Sequence, residues 1–309
     1  MSKQREKVEF RYYEIPSGEP VLALLGKGWI REYGRHVKCL HFHNLMEIGF
    51  CHFGTGEVVL GQEHIPFSSR SIMIVPPRLP HTTNSIEGTQ GYWEWVYVDM
   101  EQVLCNWYGK DPLNKKNILK QIQRTGYLIS GDEHPSLFRL VMGIIEEARM
   151  KKPYYKDNIR GLLQAWLTEL LRLSDAEVNV MRKRPQTALI FDALNYISEH
   201  YLKEIKIKDL AVQCNMSESH FRRVFEDGMK MKPLEYINLI RIQKSCEFLK
   251  STEKSMDEVA ESSGFASVSA FNRNFKKVMS CSPYQWKKSK ENDENRLDHC
   301  QISTQKGWE

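Results

Sequence analysis

Two stretches fifty residues apart, Ser217–Tyr236 (SESHFRRVFEDGMKMKPLEY) and Ser267–Trp286 (SVSAFNRNFKKVMSCSPYQW), carry one pattern twice. Phe221, Arg223, Phe225, Pro233 and Tyr236 recur as Phe271, Arg273, Phe275, Pro283 and Trp286. Upstream, Leu210-Ala211 followed by Asn215 corresponds to Val259-Ala260 followed by Gly264: an apolar helix, then a residue that tolerates positive φ where the chain turns sharply. Ser217 and Ser267 stand where a helix N-cap is needed, since a serine oxygen can accept from a free N–H of the first turn. A helix, a tight turn and a Ser-capped second helix form a helix-turn-helix, and the repetition predicts two.

Periodicity places the helices. The first unit opens with one over about 191–201, with Phe191, Leu194, Ile197 and Tyr201 on one stripe. Lys208–Cys214 and the capped helix to about Asp227 follow; Phe221, Val224 and Phe225 point inward there, which leaves Ser219, His220, Arg222 and Arg223 outward. In the second unit Met256–Ser262 precedes the turn, and Ser267–Val278 turns Phe271 and Phe275 inward and Val268, Ser269, Asn272 and Arg273 outward. Arginine can grip guanine O6 and N7 with two bonds, and asparagine can do the same for adenine, so these eight are candidate contacts to double-stranded DNA. An exposed arginine can equally touch phosphate or only solvent. Between the units, Pro233–Lys250 predicts a rod of about 27 Å at 1.5 Å per residue. That length suits two helices entering successive major grooves, which repeat about every 34 Å.

The length suggests two domains, and a net charge of +5 permits nucleic-acid binding without arguing for it. No apolar run is long enough for a bilayer, and the opening MSKQREKVEF has no apolar stretch behind its charges, so the expectation is a cytoplasmic protein with no membrane partner. Cysteines 39, 51, 105, 214, 246, 281 and 300 form no CxxC pair and read as reduced thiols.

The first hundred residues read as β-rich. EVVLG, SIMIVP and YWEWVYVDM are divided by GTG at 54–56, PPRLP at 76–80 and EGTQG at 87–91, the punctuation of a small barrel or sandwich. After Met100 the period lengthens, and two amphipathic helices are expected around 137–148 and 162–171. Residues 175–187 (DAEVNVMRKRPQT) read as a linker, and 291–309 as a frayed tail. The fold class is therefore α+β: an N-terminal β-barrel with following helices over 1–174, then an all-α domain over 188–290. If His41, His43 and Glu47 lie on one strand, alternation puts them on one face, with His81 joining from another strand. Trp93, Trp95 and Tyr97 likewise share a face, where an indole could stack on the C–H surface of a sugar.

The stretch 207–288, and GFASVSAFNRNFKK most specifically, resembles the DNA-binding domain of AraC/XylS-family transcription regulators. The resemblance implies a promoter-binding regulator, an activator that recruits RNA polymerase. Lys230 and Ser280 depart from it, because the family usually has glycine after each recognition helix. The spacing H-x-H-x3-E-x6-G followed by a Pro-rich turn and His81 resembles the cupin motifs, in which these four residues bind a metal in enzymes. In sugar-responsive AraC-like regulators the same barrel is a ligand pocket without catalytic metal. That implies His41, His43, Glu47, His81, Trp93, Trp95 and Tyr97 as contacts to a small effector, a carbohydrate, with no cofactor and no catalytic residue. The competing readings of the His/Glu cluster are structural hydrogen bonding and a metal site; the competing function is a metal-dependent cupin isomerase or dioxygenase fused to a DNA-binding module. The resemblance also implies a homodimer paired through the helices at 137–149 and 159–173, and an N-terminal arm over residues 1–20.

Overall fold

Pro76, Pro77 and Pro80 interrupt the run of strand-forming segments, and at this corner the chain changes sheets. The computed structural model describes residues 8–34, 40–109, 111–178, 189–251 and 254–293. The chain divides into two compact units, Tyr13–Pro185 and Gln186–Glu309, the latter joined by Met1–Tyr12.

Strand β1 (Glu9–Arg11) lies in the segment that groups with the second unit. The strands of the first unit are β2 (Leu22–Leu24), β3 (Ile30–Arg31), β4 (His41–His43), β5 (Met46–Phe53), β6 (Gly56–Leu60), β7 (Glu63–Phe67), β8 (Ser71–Val75), β9 (His81–Ser85), β10 (Gly91–Val98) and β11 (Tyr127–Ser130). One antiparallel sheet runs β4-β9-β6-β7 and the other β11-β8-β5-β10-β2, with β3 also on β10. Among the described residues the ladders form two sheets with no rung that closes them, which is the sandwich form of the expected small barrel or sandwich. At the corner between β8 and β9 the three prolines offer no N–H to carry a ladder across, and Arg78 takes φ 70°.

Strand β10 decides which groups face which way. Trp93, Trp95 and Tyr97 point to the interior of the sandwich, while Val96 and Val98 join the layer of helices on the opposite face. That layer contains α1 (Met100–Tyr108), α2 (Pro112–Ile122), α3 (Pro135–Met150) and α4 (Tyr155–Val178). Leu137, Val141, Ile144 and Ile145 of α3 and Leu163, Trp166, Leu167 and Leu170 of α4 form one core with Ile48, Phe50, Ile72 and Ile74. Each such side chain contributes about 1.5–3 kcal/mol by leaving water. The two helices expected after Met100 are α3 and α4, packed on each other. The first two helices and β11 were not anticipated, although Asp99 and Asp111 cap α1 and α2 and Pro112 opens the latter. Residues 175–178 of the expected linker continue α4; 179–187 lie outside the described residues.

The second unit is helical: α5 (Phe191–His200), α6 (Ile207–Gln213), α7 (Glu218–Met229), α8 (Pro233–Ser251), α9 (Met256–Ser262), α10 (Val268–Met279) and α11 (Pro283–Asp293). The sequence repeat is a packing repeat. Phe221 and Phe225 have ring centroids 5.5 Å apart, and Phe225 meets Tyr236 edge-on at 5.6 Å. Phe271 and Phe275 lie 5.6 Å apart, and Phe275 meets Trp286 edge-on at 6.1 Å. Asn215 and Gly264 have φ of 54° and 82°, as the turns require. Lys230 and Ser280, where glycine was missing, accept left-handed backbone at φ 55° and 62°. Tyr12 also belongs to this unit, its ring edge-on to Trp286 at 6.1 Å with Lys250 Nζ 5.8 Å from the ring centroid. Of the tail, 291–293 end α11 and the rest lies outside the described residues.

Candidate effector site and nucleic-acid interface

His43 ends β4, two residues turn the chain, and Glu47 already lies in β5 of the other sheet. The expectation that His41, His43 and Glu47 share one strand face is thus corrected. They converge because the inner faces of the two sheets oppose each other. His41 is the direct cross-strand partner of His81, with ring centroids 4.2 Å apart, and His43 lies 4.9 Å from His81. Glu47 is paired with Tyr97 across β5 and β10. His43, Glu47 and His81 are almost wholly buried; His41 is partly exposed.

Backbone groups fix the two buried rings. His43 Nδ1 lies 2.7 Å from Leu45 O and His81 Nδ1 lies 2.8 Å from Leu79 O. A carbonyl only accepts, so Nδ1 carries the proton in each ring. The Pro-rich turn contributes doubly, since Arg78 N also donates to His43 O at 2.9 Å. Both Nε2 atoms are left toward Glu47 Oε2, at 2.9 Å from His43 and 3.6 Å from His81. Burial draws the His43 pKa below its ordinary value despite the upward pull of Glu47. Burial pushes the Glu47 carboxyl upward, but His81 and His43 outweigh it and hold the group far below the usual range. Tyr97 is held well above the ordinary phenol value by burial and then by the charge of Glu47, so it stays a neutral donor.

The aromatic candidates fill the same interior. Trp93 and Trp95 stack with centroids 5.0 Å apart, Phe67 meets Trp93 edge-on, and Tyr33 meets Trp95. Gly49 lies beneath Trp95: a Cβ there would collide with the six-membered ring of the indole, so only glycine admits it. Both indoles are buried within this packing. Tyr13 was missed by sequence reasoning, yet its ring stacks on Tyr97 at 4.2 Å and stands edge-on to His43 at 5.5 Å. Asn44 holds it there, accepting from Tyr13 N at 2.8 Å and donating to Tyr13 O at 2.9 Å. No motif in the sequence marks a residue so far from the strands it packs on.

Glu94 was also missed. It occupies the opposite face of β10, fully buried, and accepts from Gly26 N at 2.8 Å, Tyr92 Oη at 2.8 Å and the Arg149 guanidinium of α3, with His52 Nε2 at 2.7 Å. Burial pushes its carboxyl up, but His52, Arg149 and the other donors bring it down to about 2. Its place between Trp93 and Trp95 was the one available signal.

In the second unit, Ser217 Oγ accepts from His220 N and Ser267 Oγ from Ala270 N, capping α7 and α10. Ser219, His220, Arg222 and Arg223 are exposed on α7, and Ser269, Asn272 and Arg273 on α10; Val268 is half-buried. Arg222 is engaged within its own helix, donating to Glu218 Oε1 at 3.1 and 2.6 Å. Arg223 and Arg273 carry no ion pair among the described residues and are exposed. Arg241 of α8 donates to Tyr201 O and Lys203 O, both at 2.9 Å, which fastens the rod to the end of α5.

Comparison with known proteins agrees with both halves. Residues 30–155 match an AraC-like ligand binding domain, and residues 210–289 match a helix-turn-helix domain. The chain is 22% identical over 278 residues to the uncharacterized HTH-type transcriptional regulator YisR of Bacillus subtilis strain 168, covering 87% of this chain and 94% of the relative. It is 24% identical over 247 residues to the Msm operon regulatory protein of Streptococcus mutans, covering 78% and 83%. The solved structure of ToxT from Vibrio cholerae O395 aligns with 87% of this chain and 95% of its own, at 14% identity and a TM-score of 0.41. Among the described residues no helix is long and apolar enough to cross a membrane. With a ligand-binding domain ahead of paired helix-turn-helix units, the chain belongs to the AraC family of DNA-binding transcription regulators.

Proposed function

We propose that this regulator is an activator, a homodimer that binds its promoter through α7 and α10, recruits RNA polymerase, and answers to a small polar effector of the carbohydrate class held in the interior of the sandwich. The observation that carries the reading is the repeat: two capped helices present Arg223 and Arg273 outward from equivalent positions, joined by the 19-residue α8. At 1.5 Å per residue the rod is about 28 Å long, near the spacing of successive grooves. Support for the effector class is the chemistry of the interior, where His41, His43, Glu47, His81 and Tyr97 offer polar groups beside the Trp93–Trp95 pair. The relatives are transcription regulators, which favours binding over catalysis. Pairing of two chains would use α3 and α4, and residues 1–20 would serve as the arm.

The test is a footprint upstream of the neighbouring operon, with and without a panel of sugars. Protection of two adjacent major grooves per subunit, altered by one sugar, is the expected result. Protection unchanged by every sugar, with transcription equally indifferent, would sink the carbohydrate assignment while leaving the DNA-binding reading standing.

A further inference from the structure

The helices α7 and α10 share a scaffold and differ in what they show to solvent. Ser217 and Ser267 cap them, Phe221 and Phe225 match Phe271 and Phe275, and the outward Ser219 and Arg223 match Ser269 and Arg273. The differences fall at Glu218, His220 and Arg222 of α7, whose counterparts on α10 are Val268, Ala270 and Asn272. Residues four apart on a helix lie on one face, so 218 and 222 make one surface, and 268 and 272 make its counterpart. On α7 that surface is a charged pair. Arg222 Nε and Nη2 both donate to Glu218 Oε1, at 3.1 and 2.6 Å, with each side chain about half exposed. The grip leaves Arg222 Nη1 uncommitted among the described residues. On α10 the same surface is uncharged, with Val268 half-buried and Asn272 exposed. Total charge differs too: α7 carries Glu218, Glu226 and Asp227 against Arg222 and Arg223, a net −1, whereas α10 carries Arg273, Lys276 and Lys277 with no acid, a net +3.

We propose that Glu218 is a positioning residue for base readout: it holds Arg222 so that the first unit selects a G·C pair, while Val268 and Asn272 make the second unit select A·T. The operator then has two contact sites of different composition. The inference rests on the reading that α7 and α10 enter successive major grooves. A guanidinium already clamped by a carboxylate loses less freedom on gripping guanine O6 and N7, and it is held back from the nearest phosphate. Glu218 adds an acceptor for the N4 amino group of cytosine, and its charge repels the DNA backbone, which penalises any docking without the base contact. On α10 an asparagine amide matches adenine N6 and N7, and a valine suits the thymine methyl. The charges point the same way. Helix α10 can be drawn to phosphate by attraction alone, whereas α7 at net −1 depends on the bases it meets.

The experiment selects operators for the full chain from a randomised duplex library, then measures binding to single-base variants of the selected site over a range of salt. A site requiring G·C in one protected groove and A·T in the next is expected. Glu218→Ala should cut discrimination at the G·C position about tenfold and leave the A·T position alone. It should also steepen the salt slope by about 1, as the released Arg222 turns to phosphate. Glu218→Gln, which keeps an acceptor oxygen, should retain part of the discrimination, and Asn272→Ala should relax the A·T position only. Circular dichroism checks that each variant folds. If Glu218→Ala weakens every operator by one factor or changes none, the pair merely supports its helix and the proposal is overturned. Selection of the same base pair in both grooves overturns it as well. Either failure leaves the two-groove footprint standing, whereas protection of a single groove would remove the reading beneath it, so the two are told apart.

Discussion

Gly264 shows how one position carries an element. Its φ of 82° is left-handed, and a Cβ would run into Tyr201 O, the carbonyl that Arg241 also holds. Gly264→Ala therefore meets both a conformational cost of about 1–2 kcal/mol and a backbone collision, and a loss of at least about 2 kcal/mol is expected. Asn215→Ala, at the equivalent turn, should cost only about 1 kcal/mol. Denaturant unfolding of the second unit decides; equal losses at both positions would refute the crowding argument. Glu94 gives a prediction in pH. Its carboxyl titrates near 2 in the folded chain, below the ordinary value of 4.5. A depressed carboxyl contributes stability that is fully present above the unfolded value and is lost as pH falls through the folded one. Stability of the first unit should thus decline between about pH 4.5 and 2, by no more than about 3 kcal/mol from this group. Glu94→Gln should be less stable at neutral pH and show a flatter acid limb; an unchanged limb would mean that the buried network is not what holds the carboxylate.

Among the helices, α7 and α10 present the cleanest paired test. Ser217→Ala and Ser267→Ala each remove a cap worth about 1 kcal/mol. Arg223→Ala and Arg273→Ala should leave stability alone and relax preference at one base position each, by about 1–3 kcal/mol in operator-variant binding. Uniform weakening across all operators, with a shallower salt slope, would instead assign them to phosphate. These helices were legible from sequence because each inward phenylalanine has a counterpart fifty residues away, and chance rarely copies a stripe, a cap and a closing Pro-aromatic pair together. The strands were legible as a class but not as an arrangement. Nothing local in H-x-H-x3-E tells that the chain leaves one sheet after His43 and enters the other at Met46. Convergence of the four candidate ligands was expected for the wrong geometric reason. Tyr13 was invisible, and Glu94 was marked only by its place between two tryptophans, because their importance comes from partners 31 to 84 positions away, such as Asn44, Tyr97, Gly26 and Arg149.

For the chain as a whole, the N-terminal segment offers the sharpest test of regulation. Tyr12 lies against Trp286, the residue closing the second repeat, while Tyr13 stacks on Tyr97. Removing residues 1–20 should change the response to effector and leave DNA affinity intact; a truncated protein that responds as before would end the role of this segment as an arm. Strand β10 sets a limit on how any such response begins. Its interior side chains and Glu94 alternate along one backbone, so a slip of a single residue would bury Glu94 among the aromatics and expel Trp95 toward α3. A one-residue slip is thereby disfavoured. Trp95 and Glu94 are thus neighbours on one backbone with opposite outlooks, which puts the aromatic interior one residue away from the carboxylate that grips Arg149.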